Sequence, residues 1–167
     1  MMRLLIAAVC ATLLVACAAS APPASDAETQ VDHGQLPEPV WQVLDQYLNL
    51  LAHSRSIEEC STRFASIAGG TLVNEDGRSL RATVPQFSLK KDFQNVRFYA
   101  LPPRITRVDV TRDVTTGYGP SALHGTRYKI WVAKAEGQAG MPAPIAILVP
   151  EQHPSVRDPK VVGIGSL

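Results

Sequence analysis

The spacing of apolar residues changes once along this chain, and that change limits its fold class more than any other feature. Between residues 39 and 67, apolar side chains recur every three or four residues, which is the period of an amphipathic helix. After Gly69-Gly70 the spacing becomes two, which is the period of a half-buried strand. Helices followed by strands indicate an α+β domain whose helices pack on one face of a sheet.

Two helices are predicted before this change. The first spans Pro39–His53, because a proline suits the first helical turn and an apolar stripe follows it. The second spans Ser56–Ile67, where Ser56 and Glu59 have the spacing of a capping box. Gly69-Gly70 then ends the second helix.

The remaining chain predicts mainly strands. A short hairpin is expected from Thr71–Val73 and Leu80–Val84 around the turn Asn74–Gly77, and Ser88–Asn95 has room for one or two helical turns. Four longer strands complete a curved antiparallel sheet of four or more strands: Ile105–Asp113, His124–Ala135, Ala143–Val149 and Val161–Leu167. Residues 38–167 therefore form a single α+β domain, and the last residue is expected to be held in the sheet.

This order of elements resembles the cystatin-like cone of the nuclear-transport-factor-2-like superfamily. The resemblance rests on Val40–Leu51, Ser56–Ile67 and the ending Tyr128-Lys129-Ile130-Trp131 with Val161-Val162-Gly163-Ile164, and it covers residues 38–167. Some members are enzymes, such as ketosteroid isomerases, with an acid–base carboxylate and a hydrogen-bonding Tyr or Asp in the cone. Others bind proteins or small ligands. No residue of this chain matches a catalytic motif of that superfamily closely enough to be assigned its role.

The N-terminus carries an export signal. Arg3 is followed by the apolar run Leu4–Val15, which is the pattern of a signal peptide and is too short for a membrane-spanning helix of about 20 residues. The run ends in Leu14-Val15-Ala16-Cys17, which resembles the bacterial lipobox.

The lipobox resemblance implies that the Cys17 sulfur forms a thioether to diacylglycerol and that cleavage follows Ala16. Residues 1–16 are then the signal peptide and residues 17–37 a lipidated, flexible tether rich in Ala, Pro, Ser and acidic residues. Ala18 is not the Asp associated with inner-membrane retention, so the outer membrane facing the periplasm is the expected location. The alternative is cleavage after Ala18, since Ala16-Cys17-Ala18 is also an A-x-A site for release of a soluble protein.

Charge and cysteine use fit export. Residues 18–54 contain five acidic residues and no Lys or Arg, whereas residues 78–112 contain eight basic residues and two acidic ones. The basic segment is interpreted either as a solvated surface or as a face for anionic headgroups or an acidic partner. Once Cys10 leaves with the signal and Cys17 is lipidated, Cys60 has no partner for an intramolecular disulfide and is expected to be a buried thiol.

Candidate site residues are few. Five residues could line a concave pocket. Among them, Asp109 is the carboxylate that could be desolvated, because valines flank it. Its alternation with Val108 and Val110 nevertheless favours the outer face of a strand. The five are Tyr47, Tyr99, Asp109, Tyr128 and Trp131. No histidine spacing or glycine-rich motif predicts a metal or a cofactor.

Two functions follow from these patterns. The first is a membrane-anchored envelope lipoprotein that binds a protein partner or a small apolar ligand and is not an enzyme. The alternative is a cone-fold enzyme, an acid–base isomerase or hydrolase, using Asp109 with Tyr99 or Tyr128. A nucleic-acid partner is not expected for an exported protein, although Lys90, Lys91 and nearby aromatic residues would suit a single strand.

Overall fold

The computed structural model describes residues 36–167. Four strands form one antiparallel sheet in the sequential order β1-β2-β3-β4, so the predicted α+β class is confirmed. A third helix follows the two predicted ones, so the helices are not all N-terminal. The elements are α1 (Glu38–His53), α2 (Ile57–Phe64), α3 (Leu89–Asn95), β1 (Ile105–Thr116), β2 (Leu123–Val132), β3 (Ala143–Pro150) and β4 (Lys160–Gly163). The predicted signal peptide, Cys17 and almost all of the predicted tether lie outside the described residues.

Both predicted N-terminal helices are present, and the second ends early. The Ser56 Oγ accepts the backbone N–H of Glu59 at 3.2 Å, as a capping box requires, while the Glu59 carboxylate accepts the N–H of Arg55 rather than that of Ser56. Helix α2 stops at Phe64 because the next residues pair with β4. The N–H of Val161 donates to the Ile67 carbonyl at 2.8 Å, and the Val161 carbonyl accepts the Gly69 N–H at 2.9 Å.

The predicted hairpin over residues 71–84 is reduced to a turn with one bridge. Val73 and Leu80 form a single antiparallel bridge, and the Gly77 N–H closes the turn on the Asn74 carbonyl at 2.9 Å. The second arm does not continue as a strand because a π-helix begins at Val84, with Pro85 in its first turn, and runs directly into α3. A proline in that position favours a helix start and cannot donate to a sheet.

The sheet has one covered face and one open face. Ile130, Ile145 and Ile147 have no exposed surface and pack with the helices, so we call this the inner face. Alternate residues of a strand point to opposite sides, and Lys129 and Trp131 therefore lie on the outer face. Part of the outer face has its own small apolar cluster around Leu123, Leu148 and Val162.

The two edges of the sheet differ. Along β4, residues 67–69 cover the edge through a parallel bridge between Ala68 and Val161. Strand β1 pairs with β2 alone among the described strands, and its register shifts between Thr111 and Val114, where Asp113 has a positive φ of 55°. Strand β4 ends at Gly163, so Leu167 is buried beyond the sheet rather than within it.

The difference in burial between Ile130 and Val110 predicts the effect of two truncations. Ile130→Ala should lower the free energy of unfolding by about 2–5 kcal/mol, because it leaves a cavity in the core. Val110→Ala is the matched control, since Val110 is 52% exposed and surface truncations usually change stability by about 0.5 kcal/mol. Urea denaturation measures both, and equal losses would contradict the buried position of Ile130.

Candidate functional site

The structure separates the five predicted pocket residues. Tyr47 and Tyr99 are buried, and Tyr128 packs against the core from the inner face. Asp109 and Trp131 lie on the outer face, because the register places Asp109 opposite Lys129 and Arg107 opposite Trp131. The sheet itself therefore divides the set, and the five side chains do not line one cavity.

The outer-face members belong to a compact group that we call the cation–aromatic cluster: Arg107, Asp109, Lys129 and Trp131. The Arg107 guanidinium donates from Nε to the Asp109 Oδ1 at 2.9 Å and from Nη2 to Oδ2 at 2.7 Å. Its central carbon lies 4.5 Å from the centre of the Trp131 ring, and the Lys129 Nζ lies 4.8 Å from the same centre. Both cations are within the range of a cation–π contact.

This geometry gives Asp109 a structural role. Its side chain is 41% exposed, and both of its oxygens are occupied by one guanidinium. A bidentate pair of this kind fixes the plane of the arginine, and here it holds Arg107 over the indole. A general acid or base needs a carboxylate that faces a substrate within hydrogen-bond reach, and Asp109 faces Arg107 instead.

The one fully buried carboxylate among the described residues is Asp92 on α3. Its Oδ2 accepts the Tyr47 hydroxyl at 2.8 Å and the Gly165 N–H at 2.8 Å, and its Oδ1 accepts the Leu167 N–H at 3.0 Å. These three donors come from α1 and from the segment after β4. Asp92 thus joins three parts of the chain that are distant in sequence.

Gly165 is needed for this arrangement. Its φ is +94°, in the region that only glycine adopts at low cost. A Cβ at Gly165 would also lie 2.9 Å from the Ser88 Cβ, which is too close. The segment after β4 can therefore turn back onto Asp92 because this position has no side chain.

Asp92 is not among the site residues that the sequence predicted. Its neighbours Lys90 and Lys91 are charged, so the local sequence indicates an exposed helical surface. The groups that donate hydrogen bonds to Asp92 lie 45 to 75 residues away in the sequence. A usable signal was the helical spacing of Leu89, Asp92 and Val96, which puts a carboxylate on an otherwise apolar stripe.

Burial controls the ionisation of this group. Desolvation raises the pKa of Asp92 despite the opposing hydrogen bonds from Gly165, Tyr47 and Leu167. Burial also raises the pKa of Tyr47, and the adjacent Asp92 carboxylate adds to that shift. With no exposed surface on either residue, the pair stabilises the fold and does not meet a substrate.

Other chemistry is limited within residues 36–167. Cys60 is fully buried, and desolvation raises the pKa of its thiol to about 11, which disfavours the reactive thiolate. This part of the chain has no cluster of three or more His, Cys, Asp or Glu residues suited to a metal ion. It also contains no helix with the length and apolar character needed to cross a membrane.

Comparison with protein-family models, curated proteins and solved structures finds no match to this chain. The resemblances to the lipobox and to the cystatin-like cone therefore rest on the sequence patterns described above and stay predictions.

The raised pKa of Asp92 predicts a particular dependence of stability on pH. The folded state binds the Asp92 proton more tightly than the unfolded state does. The stabilisation that this proton contributes is therefore complete below about pH 4, the pKa of Asp92 in the unfolded state. This stabilisation is lost as the pH rises through the pKa of Asp92 in the folded state. We expect the difference in unfolding free energy, wild type minus Asp92→Asn, to fall as pH rises from 4 to 8, at a slope of at most about 1.4 kcal/mol per pH unit.

Urea titrations at each pH measure this difference. Tyr47→Phe is the control, because it keeps the titrating carboxyl and should keep a wild-type direction of pH dependence. A wild-type advantage that grew with rising pH would contradict the raised pKa.

Proposed function

We propose that this chain is a lipid-anchored protein of the bacterial envelope, facing the periplasm from the outer membrane, whose domain binds a protein partner and catalyses no reaction. The observation that carries the binding proposal is the cation–aromatic cluster on the open face of the sheet. The anchoring proposal rests on Leu14-Val15-Ala16-Cys17.

The cluster has the composition of a binding hot spot. Trp and Arg are the residues most enriched among those that dominate interface energies, and here a strand pair holds both in a fixed orientation. The ion pair to Asp109 restrains Arg107 before any partner arrives. A restrained side chain loses less conformational entropy on binding than a free one.

The surface beside the cluster suits a close approach. Trp131 stands opposite Pro144, Lys129 opposite Ala146, and Ala146 opposite Gly163. Pro144, Ala146 and Gly163 have a small side chain or none, so no large side chain from these positions rises beside the Trp131 indole. A partner can therefore contact the sheet and the side of Trp131 together.

The inner face offers less support for the other candidates. The Tyr47 and Phe64 rings lie 5.2 Å apart between helices and sheet, and both are fully buried, so side chains occupy the space that an apolar ligand in a cone would need. Neither Asp109 nor Asp92 suits the alternative enzyme, because Asp109 is paired on the outer face and Asp92 is closed to solvent.

The tether sets how far the domain can act from its anchor. Eighteen residues lie between Cys17 and Leu36, which packs in the core, and at no more than 3.6 Å each they reach at most about 65 Å. A partner of the cluster would therefore have to come close to the membrane surface.

Removing the indole should weaken partner binding strongly. We expect Trp131→Ala to weaken binding by about 2 kcal/mol or more, the usual loss at a hot spot. The measurement is quantitative mass spectrometry of proteins crosslinked to the full chain in native envelopes. Tyr118→Ala is the matched control, because Tyr118 is 60% exposed and also contacts a cation, Arg81, at 5.4 Å.

A stoichiometric partner that is retained by the Tyr118 variant and lost from the Trp131 variant is the expected result. A partner that both variants keep would place binding elsewhere. The absence of any stoichiometric partner would overturn the proposed function.

Anchoring is tested separately. The wild-type N-terminal peptide should begin at Cys17 and carry diacylglycerol mass, and Cys17→Ser should move the protein out of the membrane fraction, because the thioether needs the thiol. Fractionation with mass spectrometry of that peptide measures both. An unmodified peptide beginning after Ala18 would instead indicate release as a soluble protein.

A further inference from the structure

A second surface lies apart from the cation–aromatic cluster, at the end of the sheet where β4 begins. It is a cleft of about 470 Å³, within the 300–1,000 Å³ range of small-molecule sites. Its walls come from the chain after α2, the turn that contains Asp76–Arg78, the connection before β2 and the loop between β3 and β4. Four separate segments thus converge on one volume.

Basic groups outnumber acidic ones in this cleft. The Lys160 Nζ donates to the Ser66 carbonyl at 2.7 Å, which leaves two of its three N–H groups available. The Arg78 guanidinium has no hydrogen bond or ion pair with the described residues. Asp76 is the one carboxylate among the lining residues, and its Oδ1 already accepts the backbone N–H of Arg78 at 2.9 Å.

His153 adds a third donor. Its Nδ1 accepts the backbone N–H groups of Ser155 at 3.2 Å and Val156 at 2.9 Å. A ring nitrogen that accepts carries no proton, so the proton of the neutral ring is on Nε2. That Nε2 lies 3.4 Å from the Pro120 carbonyl, longer than an ordinary N–H···O bond, and is therefore only weakly satisfied.

The base of the cleft is apolar. Leu123 and Ala68 are buried and Val156 is half-buried, and all three line the volume. Gly69 allows this packing, because a Cβ there would lie 2.8 Å from both Leu123 and the Lys160 Cβ. The Lys160 stem can thus lie across the backbone while its ammonium group stays at the cleft.

We propose that this cleft binds a small organic anion, with a carboxylate or phosphate held by Lys160, Arg78 and the His153 Nε2–H and an apolar body against Leu123 and Val156. Two cations against one engaged carboxylate favour an anion over a cation or a neutral molecule. The apolar base favours a ligand with a hydrocarbon part over an inorganic anion. This site is independent of the proposed protein partner.

The test is calorimetric titration of the purified full chain with three probes of similar size: phenylacetate, phenyl phosphate and neutral 2-phenylethanol. We expect the two anions to bind and the alcohol to bind at least about tenfold more weakly, since a hydrogen bond to a charged group contributes about 1.5–3 kcal/mol. The preferred anion distinguishes a carboxylic acid ligand from a phosphate-bearing one.

Variants locate the site. Arg78→Gln and Lys160→Gln should each weaken the better anion about tenfold, and because Arg78 is exposed its variant tests the proposal without removing a buried contact. Arg157→Gln is the matched control, as Arg157 belongs to the loop between β3 and β4 that carries His153, but does not line the cleft. Trp131→Ala should bind the anion normally.

Binding of the alcohol as tight as that of the anions, binding of no probe, or equal losses in the Arg78 and Arg157 variants would each overturn the proposal. Loss of anion binding in the Trp131 variant would also overturn it, because the cluster and the cleft would then be one site. Thermal unfolding of each variant identifies any loss that comes from misfolding.

Discussion

The buried carboxylate of Asp92 is the interaction on which the arrangement of the helices depends. Burying an ionisable group without partners is costly, and here three donors from α1 and the last segment of the chain satisfy it. The position of α3 is consequently fixed against α1 and against the last segment of the chain. The π-helix continues into α3 without a break, so the same contact also determines the position of the π-helix.

A polar contact of this kind selects one packing among several that apolar surfaces alone would accept. Leucine and isoleucine side chains tolerate small shifts of helix on sheet, whereas a carboxylate with three donors does not. The inner face is therefore specific as well as filled. The inner face is thus closed to other molecules.

The sequence predicted the long periodic elements and missed what depends on remote pairing. The stripe of α1 and the alternation in β2 identify both elements, since each pattern is local. The early end of α2 depends on Val161, almost a hundred residues away, and the absent hairpin depends on a helix that begins at Val84. Neither effect leaves a local pattern that could be recognised beforehand.

The candidate residues show the same division. The alternation of Asp109 with Val108 and Val110 indicated an outer-face position, and the structure has it there. The cluster around it could not be predicted, because it needs the register that places Arg107 opposite Trp131. The cleft could not be predicted either, because its four walls come from segments that are separate in the sequence and share no periodic pattern.

The two surfaces also differ in how they are supported. The cation–aromatic cluster lies on paired strands, so its side chains have a rigid base. The cleft depends on loops, and the loop between β3 and β4 is held by the apolar contacts of Val156 with the small outer cluster. A surface on strands suits a large partner of fixed shape, and one between loops suits a small ligand.

The unequal edges of the sheet have a consequence for the membrane anchoring proposed above. Anchored proteins meet side by side in two dimensions, where open strand edges invite polymerisation. Here the β4 edge is already occupied by residues 67–69, and the β1 edge is interrupted by its register shift and carries charged side chains. The fold can therefore be crowded on a surface without adding neighbours to its sheet.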